Sequence, residues 1–207
     1  MSGTTTLDNE TRLLAAMAYG ESSSQNVADE MKAIANVLVR QRNARGYKDM
    51  AAFTASDPTF SFVVNDGNAR YAKLMNASEN DIAKDPGMTA AVVAAQNALS
   101  DGPDLSNGAY FWDGADIKTN YAKHFKVRNG IRFSGPAHNI YGIDESTKLV
   151  ILKKVVVKRV KGKVVSKKEI ELGRYDHVYE STAAYGGTIF WKHNPDYMKV
   201  THAKEYK

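Results

Sequence analysis

The stretch Leu13-Leu14-Ala15-Ala16-Met17-Ala18-Tyr19-Gly20-Glu21-Ser22 decides how the chain is read. Leu13, Leu14, Met17 and Ala18 recur at helical spacing, which predicts a helix from Leu7 to Tyr19 with Asp8 or Thr6 as its cap. Gly20 is expected to break that helix, and Glu21 follows at once. An acid between an apolar helix and the polar run Ser22-Ser23-Ser24 sits half in a core and half in a cleft. Partial burial disfavours the charged carboxylate and raises its pKa, as a general acid working near neutral pH requires. Ser22 is placed to hydrogen-bond that carboxylate. The plainer alternative is an exposed acid in a turn.

Working outward, a second helix is predicted from Gln25 to Arg45, with Val27, Met31, Ile34, Ala35 and Leu38 on one stripe. Asp29 and Glu30 fall on its polar side. Residues 47–65 are mixed, with phenylalanines supplying bulk. Asn65-Asp66-Gly67-Asn68 reads as a turn that can start a helix whose apolar side is Tyr71, Leu74 and Met75. A further helix is predicted from Pro86 to Leu99. Ala109-Tyr110-Phe111-Trp112 reads as a strand or a cleft wall. After Ile143 the composition changes. Leu149–Val160 and Lys163–Leu172 are β-branched runs joined by Lys161-Gly162, a hairpin signal crowded with lysine. No linker separates the parts, so the expected class is one α+β unit. Residues 1–143 form its helical lobe, and 144–207 form a basic hairpin and an aromatic extension packed on it.

Composition bounds the chemistry. The 207 residues are 43% hydrophobic and 25% charged, ordinary values for a globular chain. A net charge of +5 favours anionic partners without choosing among them. There is no cysteine, which removes disulfides, thiolate metal sites and cysteine nucleophiles. The five histidines lack metal-ligand spacing, and no phosphate-binding glycine loop is present. The first ten residues have neither the basic nor the apolar region of a secretory signal, and no run is long enough to span a membrane. The expectation is a chain made in the cytoplasm.

Tyr19-Gly20-Glu21-Ser22, followed by Ala33-Ile34-Ala35-Asn36-Val37-Leu38-Val39-Arg40, resembles the opening of SleB-type cell-wall hydrolases. Phe60-Ser61-Phe62 with Asn65-Asp66-Gly67-Asn68 and Tyr71 is similar to their second motif. Asn107-Gly108-Ala109-Tyr110-Phe111-Trp112 and His138-Asn139-Ile140-Tyr141 are similar to their closing ones. The resemblance covers about residues 10–143 in order. The basic hairpin beyond it is a departure. The resemblance implies a lysozyme-like fold, peptidoglycan glycan strands as substrate, one catalytic glutamate at Glu21, and no cofactor or metal.

Ordinary glycosidases use two carboxylates, whereas lytic transglycosylases use one. Asp66 is the best candidate for a second acid, though its setting reads equally as a turn and helix cap. Glu180 is a more distant candidate. The expected substrate-binding set is Ser22, Ser61, Asn68, Tyr71, Tyr110 and Trp112, with His138 and Tyr141 from the last motif. Core packing competes for the aromatic members. Three readings stay open: a lytic transglycosylase, a muramidase with two acids, and a basic module that binds wall or nucleic acid without catalysis. The hairpin lacks the interleaved aromatics that stack on bases, which counts against nucleic acid. A wall-cutting chain without a signal suggests a secreted antibacterial effector, such as type VI secretion delivers to a target periplasm. Such an effector implies a small acidic immunity protein in its producer.

Overall fold

In the computed structural model, which describes residues 7–207, helix α1 runs Asn9–Glu21. Asp8 caps it, its carboxylate accepting from the Thr11 amide at 2.9 Å. Thr6, the alternative cap, lies outside the described residues. The helix does not break at Gly20. Glycine costs a helix only about 1 kcal/mol against alanine, and its missing side chain is used here. A Cβ on Gly20 would lie 2.6 Å from Val63 Cγ2 and 3.1 Å from Tyr71 Cβ. Glycine therefore lets two later helices close on the end of α1.

Helix α2 (Ala28–Ala44) is shorter than expected at both ends and buried nearly all round. Met31, Ile34, Ala35 and Leu38 are fully buried, and so are Ala33 and Val37 outside the expected stripe. Glu30 is a correction: it is fully buried rather than on a polar face. Four short helices follow: α3 (Met50–Ser56), α4 (Phe62–Asn65), α5 (Ala69–Asn76) and α6 (Glu79–Lys84). Then α7 (Pro86–Leu99) spans the interval its proline and stop signal predict. Helix α1 packs against α2, α5 and α7. Alanines at 91, 94, 95 and 98 of α7 are buried, so that helix can approach closely. Each fully buried Leu, Ile or Met in this layer contributes roughly 1.5–3 kcal/mol.

A four-stranded sheet closes one side of the helices. It takes β1 (Phe111–Asp113) and β2 (Ile131–Arg132) from the middle of the chain, with helices α8 (Asp116–Thr119) and α9 (Phe125–Asn129) between them. The tail adds β5 (Tyr179–Tyr185) and β6 (Thr188–His193), giving the order β1-β6-β5-β2. Fully buried Trp191 and Ile189 pack there with Ile117 and Ile131. Between β2 and β5 the chain leaves as a separate two-stranded ribbon, β3 (Val150–Val160) and β4 (Lys163–Tyr175). Lys161 and Gly162 both take positive φ at its tip, the turn a right-twisted hairpin favours. Helix α10 (Pro195–Thr201) packs on β4 at the ribbon's base.

Glu30 explains how the tail is attached. Its carboxylate accepts from Ser23 N at 3.1 Å, Ser23 Oγ at 2.6 Å, Gly187 N at 3.1 Å and Thr188 Oγ1 at 2.8 Å. The β5–β6 turn is thus tied to α2. Gly186 has φ +55°, and a Cβ there would lie 2.3 Å from Glu30 Oε2. Tyr141 donates its hydroxyl to the Gly187 carbonyl on the same turn.

Candidate active site

Glu21 is the last residue of α1 and is half-buried. Two side chains from α5 and its cap hold the backbone just before it. Asn68 Nδ2 donates to the Gly20 carbonyl at 3.1 Å, and Arg70 Nε donates to the Tyr19 carbonyl at 2.7 Å. The Arg70 guanidinium also stacks 3.8 Å from the centre of the Tyr19 ring. Terminal carbonyls that would lack helical partners are satisfied, so the acid stands on a fixed support.

The carboxylate faces a cleft of about 340 Å³ lined by Glu21, Thr59, Phe60, Phe62, Phe111, Trp112 and Lys126. Burial pushes the Glu21 pKa up from 4.5 to about 7. The side chain of Trp112 pulls the other way, and the negative charge of Asp66 adds to the rise. The acid therefore holds its proton up to neutral pH and can still release it there. Among the described residues, Glu21 is the only acidic one in the cleft lining.

Lys126 brings the opposite charge to the same cleft. Its ammonium is 2.9 Å from buried Asp113 Oδ1 and lies over the rings of Phe111 and Tyr179. His124 Nε2 approaches Asp113 Oδ1 at 3.4 Å and Asp116 Oδ2 at 3.3 Å. Asp113, Asp116 and His124 come close enough to share a cation. Lys126 already supplies a positive charge to the central carboxylate, and Asp113 raises the His124 pKa toward a second one. The group reads as an ion-pair network that fixes Lys126.

Of the expected residues, Trp112 lines the cleft with Glu21. Asp66 is exposed and outside the lining, and its Oδ1 accepts from the Asn68 amide at 2.8 Å, as a turn residue does. Asn68 and Tyr71 support the end of α1 rather than lining the cleft.

The other expected binding residues require correction. Ser22 is buried and donates to the Tyr19 carbonyl at 3.1 Å instead of orienting Glu21. Ser61 is fully buried and donates to the carbonyls of Asp57 and Thr54. The phenylalanines beside it reach the cleft instead, and Phe62 is 67% exposed at the opening. Tyr110 lines a different cleft with Arg40 and Asp104. Tyr141 is used on the β5–β6 turn. His138 contacts Ser181 Oγ at 2.9 Å and Ser134 Oγ at 3.2 Å, apart from the cleft, and burial lowers its pKa. Glu180 pairs with Arg132 in the sheet register and does not line the cleft.

No known protein family, curated protein or solved structure matches this chain. The site's chemistry has to carry the functional reading. Sequence reasoning missed Thr59, Phe60, Phe62 and Lys126 as cleft residues. Phe60 and Phe62 stood inside a quoted motif, but Lys126 had no local signal because its partners are set by tertiary packing.

Proposed function

We propose that this chain cleaves the MurNAc–GlcNAc β-1,4 bond of bacterial peptidoglycan as a lytic transglycosylase, on a lysozyme-like catalytic lobe. The observation that carries the proposal is that Glu21, its pKa raised to about 7, is the single acid in the cleft among the described residues. The ordered motifs around Glu21, Phe60-Ser61-Phe62 and Trp112 support the substrate class.

Protonated Glu21 donates to the glycosidic oxygen as the C1–O4 bond breaks, and the GlcNAc hydroxyl leaves. The Glu21 carboxylate then takes the proton from the 6-hydroxyl of the same muramic sugar. That oxygen bonds to C1, closing a 1,6-anhydro ring and restoring the acid without consuming water. Exposed Phe62 and half-buried Trp112 offer faces for sugar rings. Lys126, held by Asp113, offers N–H donors to carbonyl or hydroxyl oxygens of the substrate.

A two-acid muramidase is the second reading, and the charge of Asp66 felt at Glu21 favours it. Mass spectrometry of products released from purified wall separates the two. Anhydro-muramic ends absent from Glu21→Gln digests support the transglycosylase, and reducing muramic ends transfer the reaction to hydrolysis. The same reading makes the chain an antibacterial effector, toxic when directed to the periplasm. Toxicity that survives Glu21→Gln counts against it.

A further inference from the structure

The β3–β4 ribbon is unlike the rest of the molecule. Nine of the 28 Lys and Arg residues and two of the 23 acids lie between positions 150 and 175, so the ribbon carries a formal +7 and the remainder −2. Its two acids are already paired, Glu169 with Lys153 at 2.9 Å and Glu171 with Arg174 at 2.8 Å. Among the described residues, no carboxylate pairs with the seven other cations, which include Lys154, Lys158, Lys167 and Lys168. Among those residues too, ten of the fourteen exposed large hydrophobic side chains lie between Leu149 and Leu172.

The ribbon's edges are open. Among the described residues it contains only two strands, and the outer backbone groups of β3 and β4 have no sheet partner there along most of about 35 Å, at 3.2–3.4 Å per residue. An isolated hairpin is marginal in water, and an open edge is a template for another strand. Lysines on the ribbon discourage copies of the chain from pairing with each other, because each carries the same +7.

The register selects the occupant. One face presents Val155 opposite Glu169 and Val157 opposite Lys167. The other presents Lys154 opposite Ile170 and Val156 opposite Lys168. Neither face is wholly apolar, so a lipid surface cannot take one face without burying lysines. Nucleic acid would use the lysines, yet the span 150–174 holds no aromatic side chain to stack on a base, and the valines would stay wet. A strand alternating acidic and apolar residues satisfies the cations, covers the valines and pairs the open backbone at once.

We propose that the β3–β4 ribbon is a docking arm for an acidic protein that adds a β-strand to its open edge. The inference does not depend on the chemistry at Glu21. The probe is a blocked synthetic peptide of alternating Glu and Val, about ten residues long to match the strands, titrated into the full chain at low salt. Binding is expected to slow hydrogen exchange along one ribbon edge. It should weaken at least about tenfold when Lys154, Lys158, Lys167 and Lys168 are all changed to Glu. That variant should keep wild-type circular dichroism and thermal stability, since these side chains are exposed. A peptide of equal charge with proline at alternate positions cannot pair as a strand, and is expected to bind at least about tenfold more weakly. Equal binding of the proline peptide, no binding of the first peptide, or unchanged ribbon exchange would overturn the proposal. Tighter binding of a short DNA duplex or of phosphatidylglycerol vesicles would also overturn it.

Discussion

Asn68 donates through Nδ2 to the carbonyl oxygen of Gly20 at 3.1 Å while its Oδ1 accepts from the amides of Arg70 and Tyr71 at 3.0 Å each. One side chain caps the start of α5 and holds the residue immediately before Glu21. Asn68→Ala removes both functions. Loss of the cap alone should cost about 1 kcal/mol. Activity should fall further than that stability loss explains, because the carboxylate is no longer fixed against the cleft. Chemical denaturation and wall-turbidity assays on the same preparation check this. Full activity at temperatures where the variant is folded would show that the contact serves α5 alone.

In the proposed reaction, the raised pKa of Glu21 combines a catalytic benefit with a folding cost. Its pKa is 4.5 in an ordinary setting and about 7 in the folded chain. Between those values the folded state keeps a proton that the unfolded state has released, so stability falls as pH rises through the interval. The penalty is fully present above about pH 7. Glu21→Gln removes the charge and with it the penalty. The variant is expected to lose activity by about 10²–10⁴-fold. Above pH 7 it should gain about 1–3 kcal/mol of stability, with little gain below pH 4.5. Thermal melts at pH 4 and pH 8 measure the difference. An equal change at both pH values would mean that the buried charge is not its source.

Asp66 and Trp112 push the Glu21 pKa in opposite directions, which separates electrostatic influence from proton transfer. Removing the charge with Asp66→Asn should lower the Glu21 pKa and shift the alkaline fall of activity to lower pH. Removing the indole N–H with Trp112→Phe should shift that fall to higher pH. Both variants should retain catalysis at their own optima, with Trp112→Phe also binding sugar more weakly. A pH–rate profile reads both shifts. Loss of all activity in Asp66→Asn, at every pH, would make Asp66 a second catalytic acid.

What the sequence revealed follows from the range of the forces involved. The position of Glu21 was legible because an apolar helix and a polar turn are local patterns meeting at one residue. Helix α7 was legible from Pro86 and the stop after Leu99. The ribbon was legible from its valine runs and Lys161-Gly162. The tail strands β5 and β6 were not. Ser181-Thr182-Ala183-Ala184 has no alternation, since both sides of that strand are covered. Ser61 gave no hint that its hydroxyl is taken by nearby carbonyls, and the aromatic partners of Lys126 meet only when the sheet is assembled.

Glu30 is the clearest case of a residue whose role only the tertiary structure discloses, and it allows a sharp test. It lies 157 positions before Gly187 and 158 before Thr188, yet both donate to its carboxylate. In sequence it resembled a solvated helix acid. In the fold it is fully buried and its four donors bind the β5–β6 turn to α2 and to Ser23. Glu30→Gln keeps the size but replaces one acceptor oxygen with an amide that donates. At least one buried N–H or O–H then faces another donor, which costs about 1–3 kcal/mol. A chain of this length should lose about 2–4 °C of Tm for each kcal/mol. Hydrogen exchange should speed up first in β5 and β6, because their turn loses its anchor. Wall cleavage per folded molecule, assayed well below the lowered Tm, should stay near wild type, since Glu30 does not line the cleft. A normal Tm with lost cleavage would reverse this assignment and make Glu30 part of the catalytic machinery.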